Sequence, residues 1–140
     1  MSVKVEFEGV GEVLRRASLF NNRVRDDVAA AVKRSAQNVK KTARSNVRRR
    51  SNRLRNSITV KDTSKRANSE KGLAKTVHTR SKKGGNHGHL VELGTNRRSH
   101  PIFGNSGRMP AKPFMRPAEA AEEGRFQSEL RRIAKKNEII

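Results

Sequence analysis

Four histidines, one isolated glutamate and a run of arginines are the side chains of this sequence that could do chemistry. His78, His87, His89 and His100 crowd one stretch, and Asn86-His87-Gly88-His89 invites a metal or nuclease reading. A metal centre needs imidazoles and carboxylates fixed in space. Here the cluster lies among Gly and Lys with only Glu92 nearby, so solvated loop histidines are the expected outcome. No Ser, His and Asp set stands in a nucleophile context. The chain has no cysteine, which removes disulfides, thiolate metal sites and thiol nucleophiles. These residues predict no catalysis, no cofactor and no metal.

Glu92 is expected as a partly buried carboxylate paired with an arginine, Arg116 or one from the basic segment, because a buried charge left alone is costly. Gly94 is expected to answer a backbone requirement, since no Gly-rich loop leads from a strand into a helix around it. Arg44, Arg48, Arg49, Arg50, Arg53 and Arg55 leave three uses open. They could track phosphates without reading sequence, pair with acidic neighbours, or stay solvated. The net charge is +20 over 140 residues, and residues 23 to 55 hold twelve basic and two acidic side chains. Copies of that segment would repel one another at low salt, so an acidic partner surface or a polyanion is required in any assembly. Base stacking has little to work with: the chain lacks Trp and Tyr and has five Phe.

The elements that must position these residues follow from periodicity. Val3 to Glu8 alternates apolar and charged residues, the pattern of a strand with one buried face. Leu14 and Leu19 suggest a short helix. Val24, Val28, Val32, Ala36, Val39, Ala43 and Val47 then recur at steps of three and four, the stripe of an amphipathic helix that Asn21 or Asn22 could cap. Running to about Arg49, it would span roughly 42 Å. Ser57 to Lys61 and Ala74 to Thr79 alternate again and predict an antiparallel pair. After Pro117, Ala121, Phe126, Leu130, Ile133 and Ala134 fall at helical spacing up to Lys136, with glutamates early and basic residues late, which suits the helix dipole. Residues 62–72, 81–88 and 96–109, rich in Lys, Arg, Ser, Asn and Gly, are expected as mobile loops. The predicted fold is one α+β domain over residues 1–140: a long amphipathic N-terminal helix packed on a small antiparallel sheet, with a C-terminal helix.

Three segments, in order, carry a resemblance. Arg53-Leu54-Arg55-Asn56-Ser57-Ile58 follows the basic helix. Leu90-Val91-Glu92-Leu93-Gly94-Thr95 lies mid-chain. Pro110-Ala111-Lys112-Pro113-Phe114-Met115-Arg116-Pro117-Ala118 precedes the last helix. This arrangement resembles the minor tail component, or tail-completion, family of lambdoid-type long-tailed bacteriophages, whose members act where the tail tube meets the head. The family pattern has Thr-Gly where this chain has Ser51-Asn52, and an aromatic near Leu93. Asn tolerates the backbone conformation Gly would supply, and Leu can fill an apolar pocket built for Phe. In the third segment two prolines, Pro113 and Pro117, flank Phe114-Met115-Arg116 and fix the backbone, and Phe114, Met115 and the adjoining prolines are expected to bury against the sheet or the long helix as the latch of the fold.

The resemblance implies a structural virion protein of the neck or tail, a head-tail connector component that completes the tail end and joins it to the head as one subunit of an oligomeric ring. Six copies would match the symmetry of long tails. Its partners would be copies of itself, tail terminator or tail tube proteins, head-connector proteins and phage DNA in the lumen, with assembly in the bacterial cytoplasm. No stretch approaches the roughly 18 apolar residues of a membrane span, so no membrane partner is expected. The alternative is a free-standing, sequence-nonspecific nucleic-acid-binding protein, which accounts for the pI near 11.7 but not for the three segments. Leu, Ile, Val and Phe number 29, a lean apolar set at this charge, so a subunit completed by its neighbours is expected.

Overall fold

The computed structural model describes residues 22–48, 52–62, 75–96, 98–102 and 104–137. The strand expected from Val3 to Glu8, the short helix around Leu14 and Leu19, residues 63–72 of the polar connector, and Arg49 and Arg50 lie outside the described residues.

Helix α1 (Asn22–Asn46) forms on the valine and alanine stripe. Val24, Val28, Val32, Ala36, Val39 and Ala43 are all buried, and Val47, just past the helix, is buried too and donates its N–H to the Ala43 carbonyl at 3.2 Å. Two short elements follow, α2 (Asn52–Ser57) and strand β1 (Ile58–Asp62). Strand β2 (Lys75–Thr79) pairs antiparallel with β1, setting Ile58 opposite Thr79 and Val60 opposite Val77. Ile58 and Val77 are buried, so the face they occupy is the one laid on α1.

The last helix, α4 (Met115–Lys136), runs antiparallel to α1. Contacts climb the pair in order: Lys136 with Asp27 at 3.6 Å, Arg34 with Glu129, Ser35 and Asn38 with Glu122 at 3.0 and 3.1 Å, and Asn46 Nδ2 donating to the Phe114 carbonyl at 3.2 Å. The helix starts at Met115 rather than after Pro117. Proline is tolerated in a first turn because its missing N–H would have no intrahelical acceptor. Ala121, expected in the buried stripe, is exposed, and Glu122 is buried in its stead.

Among the described residues the core is therefore two clusters along one long helix. The first half of α1, from Val24 to Val32, packs on Phe126, Leu130 and Ile133 of α4. The second half, from Ala36 to Val47, packs on Ile58, Val77, Phe114, Met115 and Ala118. The architecture is α+β.

Two stretches expected as loops contain structure. Residues 81–88 hold a 3-10 turn (Ser81–Lys83) and the start of helix α3 (Gly88–Leu93). Gly84, at φ +88°, closes the turn, and a side chain at Gly85 would strike Ser57, Thr79 and Arg80 at under 3 Å. Residues 96–109 hold a hairpin of β3 (Arg98–His100) and β4 (Gly104–Gly107), with a bulge between Arg98 and Ser99. Elements of three to six residues are too short to display a period, so composition alone read them as loops.

Candidate functional site

Glu92 sits in α3, 3% exposed, and its carboxylate faces the start of α4. Oε2 accepts the backbone N–H of Phe114 at 2.8 Å and of Met115 at 3.0 Å, and Oε1 accepts that of Arg116 at 3.0 Å. These are free amides at the head of a helix, where the backbone dipoles also favour an anion. Pro117 has no N–H to satisfy. One carboxylate from another element thus saturates the helix start that Phe114, in the capping position, cannot cap with its own side chain. The expected arginine partner is corrected by this finding: among the described residues, Glu92 is held by backbone amides, and Arg116 contributes its N–H while its side chain is exposed.

The same two segments are joined again just beyond. Thr95 donates its N–H to the Met109 carbonyl at 2.9 Å, and Met109 returns its N–H to Thr95 Oγ1 at 3.1 Å. Lys112 donates its N–H to the Val91 carbonyl at 2.8 Å. Between them lies Gly94, at φ 74° and ψ −178°, a region open essentially only to glycine. A Cβ there would stand 2.7 Å from Ala111 N and 2.9 Å from Met109 O. The mid-chain segment and the proline segment are in backbone contact, and Gly94 permits it.

The first segment completes the cluster. A cleft of about 580 Å³ opens between the end of α1, α2, the turn after β2, α3 and the strip before α4. Val47, Leu54, Val91, Met109 and Pro110 make its apolar surface. Arg48, Arg53 and Lys112, all exposed, stand around it with Asn86 and His87, and among the described residues no acidic side chain lines it. All three segments of the resemblance contribute.

The remaining residues singled out in the sequence scatter. Arg44 is half-buried, and its Nη2 donates to the Ile58 carbonyl at 2.9 Å, tying α1 to β1. Arg55 is half-buried and does not line the cleft. Leu90 and Thr95 are half-buried; Pro113 and Pro117, expected to bury beside Phe114 and Met115, are exposed, since a proline ring restricts the backbone whether or not it is covered. Phe114 is wholly buried between α1 and the sheet. Leu93 fills no pocket, being 59% exposed; Ile102 in the hairpin turn is 81% exposed. His87 borders the cleft, while His78 and His89 are half-buried elsewhere. Among the described residues, no group of three His, Asp or Glu could hold a metal ion, and no helix is long and apolar enough to cross a membrane.

Sequence reasoning missed the role of Glu92 as a helix cap. The signal was present: a helix beginning with Phe-Met-Arg-Pro has no Ser, Thr, Asp or Asn at its head, so its amides need an acceptor from elsewhere.

Residues 12–94 match the family model described as "Bacteriophage HK97-gp10, putative tail-component". The match takes in more than half of the chain, with the first segment and the mid-chain segment as far as Gly94; the proline segment lies past its end. No curated protein and no solved structure matches.

Proposed function

The chain belongs to the HK97-gp10-like family of bacteriophage tail components, and from that premise we propose that it is a structural subunit of the virion neck. In this reading it completes the tail end and joins it to the head as one member of a homo-oligomeric ring, a hexamer to match the tail. Tail terminator or tail tube proteins would lie on one side and head-connector proteins on the other, with DNA in the lumen. It has no catalytic role in this reading.

The observation that supports the reading is how the segments that resemble the tail-completion family are used. Glu92, the one carboxylate in them, is spent on three backbone amides, and Gly94 and Thr95 are spent on holding the proline strip. What they build is a fixed surface with basic side chains around it, as a protein that works by fitting against neighbours requires.

The test is particle analysis of the phage that encodes the chain. With the gene interrupted, tails and heads should accumulate unjoined, and the wild-type chain should be found in purified virions at a few copies each. Its absence from virions, with normal joining in the interrupted phage, would overturn the assignment. Exposed Lys33, Lys41 and Arg48 on and just beyond α1 favour a second reading, phosphate binding outside any particle. Recovery only with bulk cellular nucleic acid would favour that alternative.

A further inference from the structure

The cleft is the most built feature of the surface. Its apolar part is drawn from four separate places in the chain, Val47, Leu54, Val91 and the Met109-Pro110 pair. Arg48, Arg53 and Lys112 border it from three of them. Glu92 lies one residue from Val91, yet it is buried and committed to amides on the side of α4, so it does not neutralise those cations. Apolar ground with cations around it and, among the described residues, no carboxylate facing it is complementary to one kind of occupant: an apolar side chain carried between acidic residues.

We propose that this cleft is the docking site for an extended acidic segment of a partner protein, which seats one aliphatic side chain against Val47, Leu54, Val91, Met109 and Pro110 and sets carboxylates on Arg48, Arg53 and Lys112. Nucleic acid fits less well. Single strands are held by stacking on exposed aromatic rings, whereas among the described residues the cleft offers the His87 imidazole and no Phe, and Phe114 and Phe126 are buried in the core. A second copy of the chain fits less well too, because a surface of net charge +20 would have to approach these same cations. The inference rests on the reading that the chain works among neighbouring proteins, but its test does not depend on where in the particle it sits.

The probe is a short fluorescein-labelled peptide with one Leu amid Asp and Glu, titrated with the full-length protein and followed by anisotropy. Binding should saturate. It should weaken about ten-fold when the peptide Leu is replaced by Ser, the effect of exposing a partly buried aliphatic side chain. It should weaken at least as much in the protein variant Arg53→Glu/Lys112→Glu, both changes lying at exposed side chains. The variant Lys33→Glu/Lys135→Glu makes the same change of charge away from the cleft and should bind nearly as the wild type does. Arg48→Glu alone gives a second cleft variant, and circular dichroism confirms that each is folded.

Equal binding of a polyglutamate peptide without Leu, or equal losses in the cleft and control variants, would reduce the interaction to net charge and overturn the proposal. So would duplex DNA that displaces the peptide and itself binds ten-fold less tightly to the cleft variants, or a cleft variant that dissociates copies of the chain while leaving peptide affinity intact. Presence or absence of the chain in virions reads the neck assignment separately, so either idea can fail alone.

Discussion

At the scale of single residues, Glu92 and Phe114 govern one junction from opposite sides. Glu92 accepts three amide hydrogens at the head of α4; the bonds from Phe114 and Met115 are buried and that from Arg116 is partly buried. Glu92→Ala would leave them without acceptors, and a buried donor left unsatisfied costs about 1–3 kcal/mol. The expected loss is about 3 kcal/mol or more, read from the urea midpoint. Glu92→Gln keeps an acceptor oxygen but loses the anion and should fall between. A midpoint unmoved by Glu92→Ala would show that water replaces the carboxylate. Phe114 is fully buried beside it, and Phe114→Ala should cost about 3–5 kcal/mol through lost burial and the cavity left behind. Unchanged thermal stability would take Phe114 out of the core. That Phe114 would be an anchor was readable from its setting between prolines. That the head of α4 needs an acceptor from elsewhere follows from its lack of a capping side chain, but that Glu92 supplies it does not, because its partners are backbone amides, which any residue can offer.

At the scale of elements, the long helix was readable because its stripe repeats over seven positions, and β1 and β2 because they alternate. The partner face of α4 was half readable. Phe126, Leu130 and Ile133 declare themselves by hydropathy, but the buried position between Ala118 and Phe126 is Glu122, and hydropathy alone points to Ala121 instead. The structure explains the exchange. Ser35, in the middle of the α1 stripe, donates to Glu122 Oε1, and Asn38 donates to the same oxygen. This polar tie falls where the two apolar clusters meet. Sliding α4 by one turn would bring Glu122 toward Val32 in one direction or Val39 in the other, so the tie fixes the register of the two helices. Ser35→Ala should cost about 1 kcal/mol and Glu122→Ala more, since the latter strands two donors. The double variant should show a coupling energy of about 0.5–3 kcal/mol in a denaturation cycle. Strict additivity of the two single changes would mean that the tie contributes no register.

At the scale of the whole molecule, the dominant quantity is the charge of +20, and raising salt acts on it in two opposed ways. Salt weakens ion pairs such as Arg34 with Glu129 and Lys136 with Asp27. Their basic members are 62% and 59% exposed, so each pair contributes about 0–1 kcal/mol. Salt also screens repulsion among cations spread over the entire surface, within a Debye length of about 8 Å at physiological strength. The second effect is the larger, so the thermal midpoint of the isolated chain should rise with added sodium chloride; a midpoint that falls would show the exposed pairs to matter more than the excess charge. The same excess decides what the basic end of α1 is for. Arg48 is exposed there, directly ahead of Arg49 and Arg50 in the sequence. If these three contact phosphate, changing all of them to Gln should reduce the slope of log affinity against log salt by up to about 2.7 for duplex DNA, at roughly 0.9 per lost contact. An unaltered slope would assign them to protein neighbours or to solvent. Arg48 also borders the cleft, so that variant should weaken the acidic peptide as well, but less than Arg53→Glu/Lys112→Glu, which leaves Arg48 to Arg50 in place; a DNA slope that flattens only in the first variant, with peptide lost chiefly in the second, would separate the two anionic partners on one molecule.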